Sequence, residues 1–276
     1  MGKLLHEALS YKIRGTLFRV YNTLGPGFRE EIYKQAAKHD LSKSGLPIEV
    51  EKHIPIPYED DPAIDTYRLD ILVDNKIILE LKAVSEIHER FVAQTLSELL
   101  ASKIELAMLV NLGSEPLEIR RLLNIHMNPA KKENRQKEII RQPDFSDLAD
   151  PKIVHKDLCY VLYGCFYKIY NVLGPGYRET TYEKALIKEL SKAGVKHETD
   201  KEIPIVFDNI VIDTHKIKLI IDDKIIVFVK AYSDLDSHWK ARLKSELRAS
   251  SLKLGLLVNF GTHPLVIERV LNPRGR

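Results

Sequence analysis

YRLDILVDNKIILELKA, residues 67–83, is matched further along the chain by HKIKLIIDDKIIVFVKA, residues 215–231. Each stretch places two short runs rich in Ile, Leu and Val on either side of a polar triplet, which is the pattern of a β-hairpin with a tight turn. The apolar positions agree between the two stretches, whereas the acidic positions do not. The chain therefore contains a repeated unit of which only one copy has kept its acids.

The polar differences between the two hairpins are few and chemically large. Asp70 becomes Lys218, Glu80 becomes Phe228, and Lys82 persists as Lys230. One copy thus carries two carboxylates and a lysine, and the other keeps only the apolar framework. This asymmetry predicts a single active site in a protein of two domains.

A second pair of matching stretches extends the repeat over most of the chain. YNTLGPGFREEIY at 21–33 returns as YNVLGPGYRETTY at 170–182. A period this long indicates a duplicated domain and not a solenoid of short repeats. We predict one domain over 1–130 and a second over 151–276, joined by a charge-rich linker at 131–150.

The length of the turn decides which residues of the first hairpin face each other. A three-residue turn pairs apolar residues with apolar residues, whereas a two-residue turn would split the acids between the two faces. The three-residue turn is therefore predicted, and it puts Asp70 directly across from Glu80, with Lys82 two residues further along the strand. The apolar face then consists of three pairs: Leu69 with Leu81, Ile71 with Leu79, and Val73 with Ile77.

Hydrophobic periodicity predicts the remaining elements, and the second copy repeats the order of the first. The result is an α/β fold of two tandem domains, each with a mixed central sheet flanked by helices. In the first copy we predict helices over 5–24, 30–43 and 85–102, strands over 47–58, 67–73, 77–82 and 106–111, and a last strand or helix over 117–123.

Charge is divided unevenly between the copies. The net charge of the chain is +3, but residues 1–130 contain 16 Lys and Arg against 19 Asp and Glu, while residues 151–276 contain 21 against 15. A basic domain beside an acidic one suits a protein that binds a polyanion. Surface drift after duplication would produce the same imbalance, so charge alone does not decide between the two readings.

The composition also bears on location. No apolar run is long enough to span a membrane and no leader sequence opens the chain, so we expect a cytoplasmic protein without a membrane partner. Cys159 and Cys165 lie six residues apart on one predicted helix, a spacing that favours neither a disulfide nor a shared metal.

Two carboxylates side by side on a sheet repel each other unless a cation lies between them. Mg²⁺ prefers oxygen ligands, so Asp70 and Glu80 make a candidate Mg²⁺ or Mn²⁺ site, with the backbone carbonyl of Leu81 as a further ligand. Lys82 would orient or deprotonate an attacking water and offset negative charge in a transition state. The alternative is an exposed polar face of a half-buried hairpin, where such residues are common.

The wider pattern resembles a known family. Gly27 to Tyr33 fits the motif that names the GxxExxY proteins, and Gly176 to Tyr182 fits it again. The phrases LGPG, YRLDILV, IILELKA and LVNLG or LVNFG are also similar to that family, which is a branch of the PD-(D/E)XK nuclease superfamily. The resemblance implies a restriction-endonuclease-like αβββαβ core in each copy and metal-dependent cleavage of phosphodiesters.

The resemblance also assigns roles within the first copy. Asp70 corresponds to the motif aspartate, Glu80 and Lys82 to the (D/E)XK pair, and Glu30 to an extra helix carboxylate that reaches the same metal cluster. Gln94 fits a glutamine that many members carry in the helix after the lysine, and we count it among the residues that contact nucleic acid.

The chain also departs from the family pattern. The tyrosine that members usually carry four residues after the glutamine is replaced by Glu98, and the glutamine itself is replaced in the second copy by Arg242. Lys218 and Phe228 cannot bind a hard cation, so we predict a catalytically dead second domain that clamps nucleic acid or serves as a built-in dimerisation partner. Its candidate phosphate contacts are Lys218, Lys230, Lys240, Arg242, Lys244 and Arg248, with a solvated basic face as the alternative.

The leading functional prediction is a Mg²⁺-dependent nuclease that hydrolyses DNA at one site in the first domain. A non-catalytic nucleic-acid-binding module and a protein-interaction scaffold are the alternatives. The two domains would form a pseudo-dimer within one chain, and a homo-oligomer is the alternative assembly.

Overall fold

The structure is a computed structural model that describes residues 5–124, 143–150, 153–272 and 274. The chain divides into two compact units. The first comprises Met1–Pro57 with Asp61–Gln136, and the second comprises Tyr58–Asp60 with Lys137–Arg276.

The first unit opens with two helices that the GPG segment separates. Gly25 ends the first helix with a backbone φ of +67°, a left-handed conformation that glycine adopts without a Cβ clash. The elements are α1 (Glu7–Leu24), α2 (Glu30–Lys43), β1 (Ile48–Tyr58), β2 (Asp61–Val73), β3 (Ile77–Lys82), α3 (Glu89–Ser102), β4 (Leu106–Asn111) and β5 (Glu118–Leu123).

The five strands form one mixed sheet in the order β1-β2-β3-β4-β5. β2 and β3 are antiparallel, β3 and β4 are parallel, and β4 and β5 are antiparallel. The parallel pair is joined by α3, as a parallel connection requires a crossover. The predicted restriction-endonuclease-like α/β fold is confirmed.

The second unit repeats this architecture with its sheet in the order β10-β9-β8-β7-β6. Its elements are α4 (Lys156–Leu173), α5 (Glu179–Lys192), β6 (His197–Phe207), β7 (Ile210–Ile221), β8 (Ile225–Lys230), α6 (His238–Ser250), β9 (Leu254–Asn259) and β10 (Val266–Leu271).

Helices cover both faces of the first sheet. One apolar cluster joins α1 and α2 to alternate residues of β2, β3 and β4, including Leu17, Ile71 and Leu79. A smaller cluster on the other face joins Leu99 of α3 to Ile78 of β3. Because each face of β3 is covered, all of its residues are buried, and its polar side chains lie in the interior.

Two predicted elements begin four or more residues away from their predicted start, and one prediction leaves the type of element open. β2 begins at Asp61, six residues before the predicted start, because its first part pairs within the β1–β2 hairpin. α3 begins at Glu89 and not at residue 85. The open choice for residues 117–123 is resolved as strand β5, which completes the edge of the sheet.

The predicted linker overlaps only in part with the residues that the structure describes, because 131–142 lie outside them. Ser146–Leu148 form a short 3₁₀ turn in which Leu148 is fully buried. The Phe145 ring packs on Tyr160 at a centroid distance of 5.0 Å. This end of the predicted linker is therefore packed against α4.

The structure also describes the helices and the two cysteines that the composition singled out. Among the described residues, no helix combines the length and the apolar character needed to cross a membrane. Cys159 and Cys165 on α4 are free and buried, and burial raises the pKa of each thiol to about 11.

Candidate active site

The β2–β3 hairpin has the predicted three-residue turn, and two of the three predicted apolar pairs are present. Ile71 lies opposite Leu79, and Val73 lies opposite Ile77. The third predicted pair is wrong, because Leu69 belongs to the apolar cluster under α3, on the opposite face from Leu81.

The reason is an interruption of the strand pairing at Asp70. The regular ladder ends at Ile71, and beyond it one Asp70 carboxylate oxygen accepts the backbone N–H of Leu81 at 3.0 Å. A side chain thus takes the place of a main-chain acceptor. The prediction that Asp70 lies directly across from Glu80 on one sheet face is therefore corrected: where β2 separates from β3, the Asp70 carboxylate turns toward Leu81 and α2.

Asp70 is held on its other side by a lysine that the sequence analysis missed. Lys34 of α2 places its ammonium 2.7 Å from Asp70 Oδ1, with Glu31 and Glu51 further away at 3.9 and 3.8 Å. Lys34 is only 4% exposed. Burial lowers the pKa of Lys34, but the Asp70 carboxylate more than compensates, so the net shift is upward.

A signal for this pair was present in the repeat. Lys34 follows the GxxExxY motif and corresponds to Glu183, while Asp70 corresponds to Lys218. In the second unit Lys218 lies 2.6 Å from Glu183. The charges at the two positions have exchanged sign together, which is the pattern of two residues in contact.

Glu80 points to the opposite side of the sheet, toward α3. One of its oxygens accepts from Lys82 at 2.7 Å and from Gln94 at 2.7 Å, and Gln94 also donates to Glu98 at 3.0 Å. The other oxygen, Oε2, is buried and has no hydrogen-bond partner among the described residues. Burial, followed by repulsion from Glu98 and Asp70, raises the pKa of Glu80 well above its usual range.

Lys82 ends β3 and connects Glu80 to α2. Its ammonium lies 3.7 Å from Glu30 Oε2 and 5.4 Å from the centre of the Phe91 ring. Burial lowers the pKa of Lys82, but the neighbouring carboxylates, led by Glu80, raise it by more than burial lowers it, so the net shift is upward. The side chain is thus held as a cation.

The structure brings together four of the predicted site residues, Asp70, Glu80, Lys82 and Glu30, and adds Gln94 to them as a hydrogen-bond partner of Glu80. Each of the two acids Asp70 and Glu80 has a lysine ammonium 2.7 Å away. Within the parts of the chain that the structure describes, no three His, Cys, Asp or Glu side chains are gathered closely enough to hold a metal as they stand.

In the second unit, three of the predicted phosphate contacts lie around the position equivalent to this site. Lys218, Lys230 and Arg242 line one cavity. Lys230 is 9% exposed and pairs with Glu179 at 2.9 Å, whereas Lys218 and Arg242 have more than half of their side chains exposed.

The other three predicted contacts, Lys240, Lys244 and Arg248, follow each other at intervals of four on α6 and form a different surface. Lys240 and Lys244 line a shallow groove with Arg269, and Lys240 pairs with Glu268 at 2.8 Å. The basic residues of the second unit therefore divide into a cavity group and an outer stripe on the helix.

Comparison with known proteins agrees with this architecture. The family model of the PD-(D/E)XK nuclease superfamily matches residues 7–122 and, a second time, residues 156–270. The chain therefore belongs to the PD-(D/E)XK nuclease superfamily and carries its domain twice, as a tandem duplication. Neither the curated proteins nor the solved structures gave a match.

Proposed function

We propose that the first unit is a divalent-metal-dependent nuclease that acts on DNA, and that the chain is a member of the GxxExxY branch of its superfamily. The observation that carries the proposal is the convergence of Asp70, Glu80 and Lys82 where β2 separates from β3, with Glu30 of α2 beside them. The second unit has lost both acids and is proposed to bind nucleic acid without cleaving it.

The oxygen atoms at this point are ligands of the type that a hard cation prefers. Glu80 Oε2 is buried without a partner among the described residues, and an unpartnered buried carboxylate oxygen is costly unless a cation or a proton joins it. Asp70, Glu80, Glu30 and the Leu81 carbonyl would hold Mg²⁺ or Mn²⁺. When bound, the ion would supply Lewis-acid polarisation of the phosphate and a more acidic water.

Lys82 is suited to one of its two predicted roles more than to the other. A lysine whose pKa is raised keeps its proton at neutral pH. It therefore stabilises negative charge that develops on a phosphate oxygen, and it is a poor acceptor of a proton from water. Gln94 fixes the Glu80 side chain by donating to it, so we propose a positioning role for Gln94 beside its predicted contact with nucleic acid.

One observation favours the alternative of a non-catalytic nucleic-acid-binding protein. Lys34 and Lys82 already neutralise Asp70 and Glu80 at 2.7 Å each, so the acids do not require a metal for charge balance. In that case the chain would bind DNA in a salt-dependent manner without metal-dependent turnover.

Cleavage of end-labelled single-stranded and duplex DNA in Mg²⁺ and in Mn²⁺ tests the proposal. We expect wild type to cleave at least one of these substrates and Lys82→Ala to lose cleavage while its DNA affinity is retained. Lys76→Ala is the matched control, because Lys76 lies in the turn of the same hairpin and pairs only with Asp74 among the contacts described. Undiminished cleavage by Lys82→Ala would contradict the assignment.

A measurement of metal binding distinguishes an inactive site from an active site that was tested on an unsuitable substrate. Calorimetry with Mn²⁺ in the presence of a short DNA should give about one ion per chain, since one copy retains its acids, and the Asp70→Asn/Glu80→Gln double variant should lose it. Metal binding without cleavage would direct attention to other substrates. Absence of both would support the non-catalytic alternative.

A further inference from the structure

The second unit contains a cavity of about 490 Å³ at the position where the first unit carries its acids. This volume lies within the range of about 300–1,000 Å³ that is typical of small-molecule sites. The floor is apolar and includes Leu219, Val227 and Phe228, and the wall contains Trp239. Five basic and three acidic side chains also line it, which gives the cavity an apolar interior and a rim with an excess of positive charge.

The chemistry of this cavity is the reverse of that in the first unit. Three positions of the first site have changed to aromatic or cationic residues: Asp70 to Lys218, Glu80 to Phe228, and Gln94 to Arg242. A fourth, Phe91, is replaced by the larger aromatic residue Trp239. A site that suits a metal cation has become one that suits an anion attached to a flat apolar group.

The aromatic wall is held by its neighbours. The Lys230 ammonium lies 3.8 Å from the centre of the Trp239 ring and pairs with Glu179 at 2.9 Å, so this lysine is a fixed part of the wall. Phe228 meets Trp239 edge to face at 6.5 Å. Lys218 and Arg242 pair with Glu183 at 2.6 Å and with Glu246 at 3.5 Å, but their side chains are 58% and 55% exposed, so both face solvent at the rim.

Glu246 supplies a hydrogen-bond acceptor to the same cavity. The residue is 5% exposed, and its Oε1 lies 3.0 Å from His215 Nε2 and 3.5 Å from Arg242 Nε. Its Oε2 is buried without a hydrogen-bond partner among the residues that the structure describes. Because a buried acceptor without a donor is unfavourable, a ligand that brings an N–H group is favoured here.

We propose that this cavity binds a nucleoside 5′-phosphate, either as a free mononucleotide or as the phosphorylated end of a strand. The base lies against Trp239 and Phe228 and donates an amino N–H to Glu246, while the phosphate is bound by Lys218 and Arg242 at the rim. The proposal does not depend on catalysis in the first unit, since every lining residue belongs to the second.

Trp239 is the only tryptophan in the chain, so its fluorescence reports on the cavity directly. The full-length protein is titrated in EDTA with AMP, with adenosine, with inorganic phosphate, and with purine riboside 5′-monophosphate, which lacks the amino group. We expect saturable quenching by AMP and weaker binding of the other three. Equal binding of phosphate alone would overturn the proposal in favour of a simple anion site, and equal binding of the purine analogue would overturn the role of Glu246.

Arg242→Gln restores the residue type of the first unit and should weaken AMP binding by about tenfold, because it removes a charge-assisted contact. Lys253→Gln is the matched control, since it removes the same charge outside the residues that line the cavity. An equal loss in both variants would indicate non-specific attraction and contradict the proposal, as would the absence of any AMP response in wild type.

Two further experiments are needed. The first distinguishes a strand end from a free mononucleotide, and the second distinguishes this proposal from the proposed nuclease activity. A short oligonucleotide with a 5′-phosphate that competes with AMP, while the same strand without the phosphate does not, identifies a strand end; competition by neither identifies a free mononucleotide. Glu80→Gln should abolish metal-dependent cleavage and leave the AMP response of Trp239 unchanged. Loss of the response in Glu80→Gln would show that AMP binding depends on the first unit and would overturn the proposal.

Discussion

Lys34 lies 2.7 Å from Asp70 in the first unit, and the equivalent positions in the second unit carry the same contact with its charges exchanged. Glu183 on the helix faces Lys218 on the strand at 2.6 Å. The contact between this helix and this strand is thus kept, whereas its polarity is not. Polarity matters for chemistry, because only the first arrangement leaves a carboxylate on the strand beside Glu80.

We expect Lys34→Met to destabilise the first unit by about 3–5 kcal/mol, because it leaves the buried Asp70 carboxylate without its ion-pair partner. Lys34→Glu and Asp70→Lys should each be destabilising, and the double variant should recover most of the loss by adopting the polarity of the second unit. Urea unfolding of wild type, the two charge-reversal variants and the double variant gives the coupling energy. Additive losses in the double variant would show that the pair does not act as a unit.

Removal of the lysine of the equivalent pair in the second unit should lower the free energy of unfolding much less than Lys34→Met does. Lys218→Met removes a partner whose side chain is 58% exposed, and exposed ion pairs contribute roughly 0–1 kcal/mol. A loss in this variant as large as that of Lys34→Met would mean that burial does not explain the difference between the two pairs. The comparison uses the same unfolding measurement at the same pH.

Glu80→Gln should remove part of the pH dependence of the stability of the metal-free protein. The raised pKa means that folded Glu80 keeps a proton that the unfolded chain releases, so stability falls as pH rises from the usual carboxyl pKa toward the raised value. Glutamine removes that part of the pH slope. Denaturant unfolding in EDTA at several pH values measures this slope, with Glu86→Gln as an exposed control. A pH slope as steep in Glu80→Gln as in wild type would contradict the expectation.

Tyr33→Phe and Tyr182→Phe should cost about 1–2 kcal/mol each. The Tyr33 hydroxyl donates to the Gly25 carbonyl at 2.6 Å and accepts the Phe28 N–H at 3.2 Å, and Tyr182 makes the same two bonds in its own unit at 2.7 and 3.1 Å. The hydroxyl ties the GPG turn to the start of the next helix. Thermal unfolding of both variants measures the loss, and a clearly unequal effect would contradict an equivalent role in the two units.

Gly113→Ala should destabilise the first unit by about 3 kcal/mol and impair the site. A Cβ there would lie 2.6 Å from backbone atoms of Ala83 and Val84, which directly follow Lys82, so the strand end would have to move. Gly15→Ala in the middle of α1 has no atom within 4 Å of its new Cβ and should gain up to about 1 kcal/mol in helix propensity. Denaturant midpoints of the pair test the contrast, and a neutral Gly113→Ala would refute it.

Much of the fold follows from local sequence. The bounds of α2 agree with its prediction, and so does the three-residue turn of the first hairpin, because glycines, turn residues and apolar alternation act over a few residues. The repeat then extends each assignment to a second copy. The family motif similarly points to Asp70, Glu80, Lys82 and Glu30 as neighbours, and the structure brings these four together.

The tertiary structure decided what lies around those residues. Strand alternation predicts a single face for Leu69 and Leu81, but the Asp70 carboxylate replaces a main-chain acceptor and breaks that alternation. Lys34 is 36 positions from Asp70 in the chain, so no local pattern connects them, and only the packing of α2 on the sheet makes them an ion pair. Sequence by itself determined which groups the protein carries and in which elements they lie. Packing decided which of them are buried together, and burial sets their charge because desolvation penalises an unpaired ion.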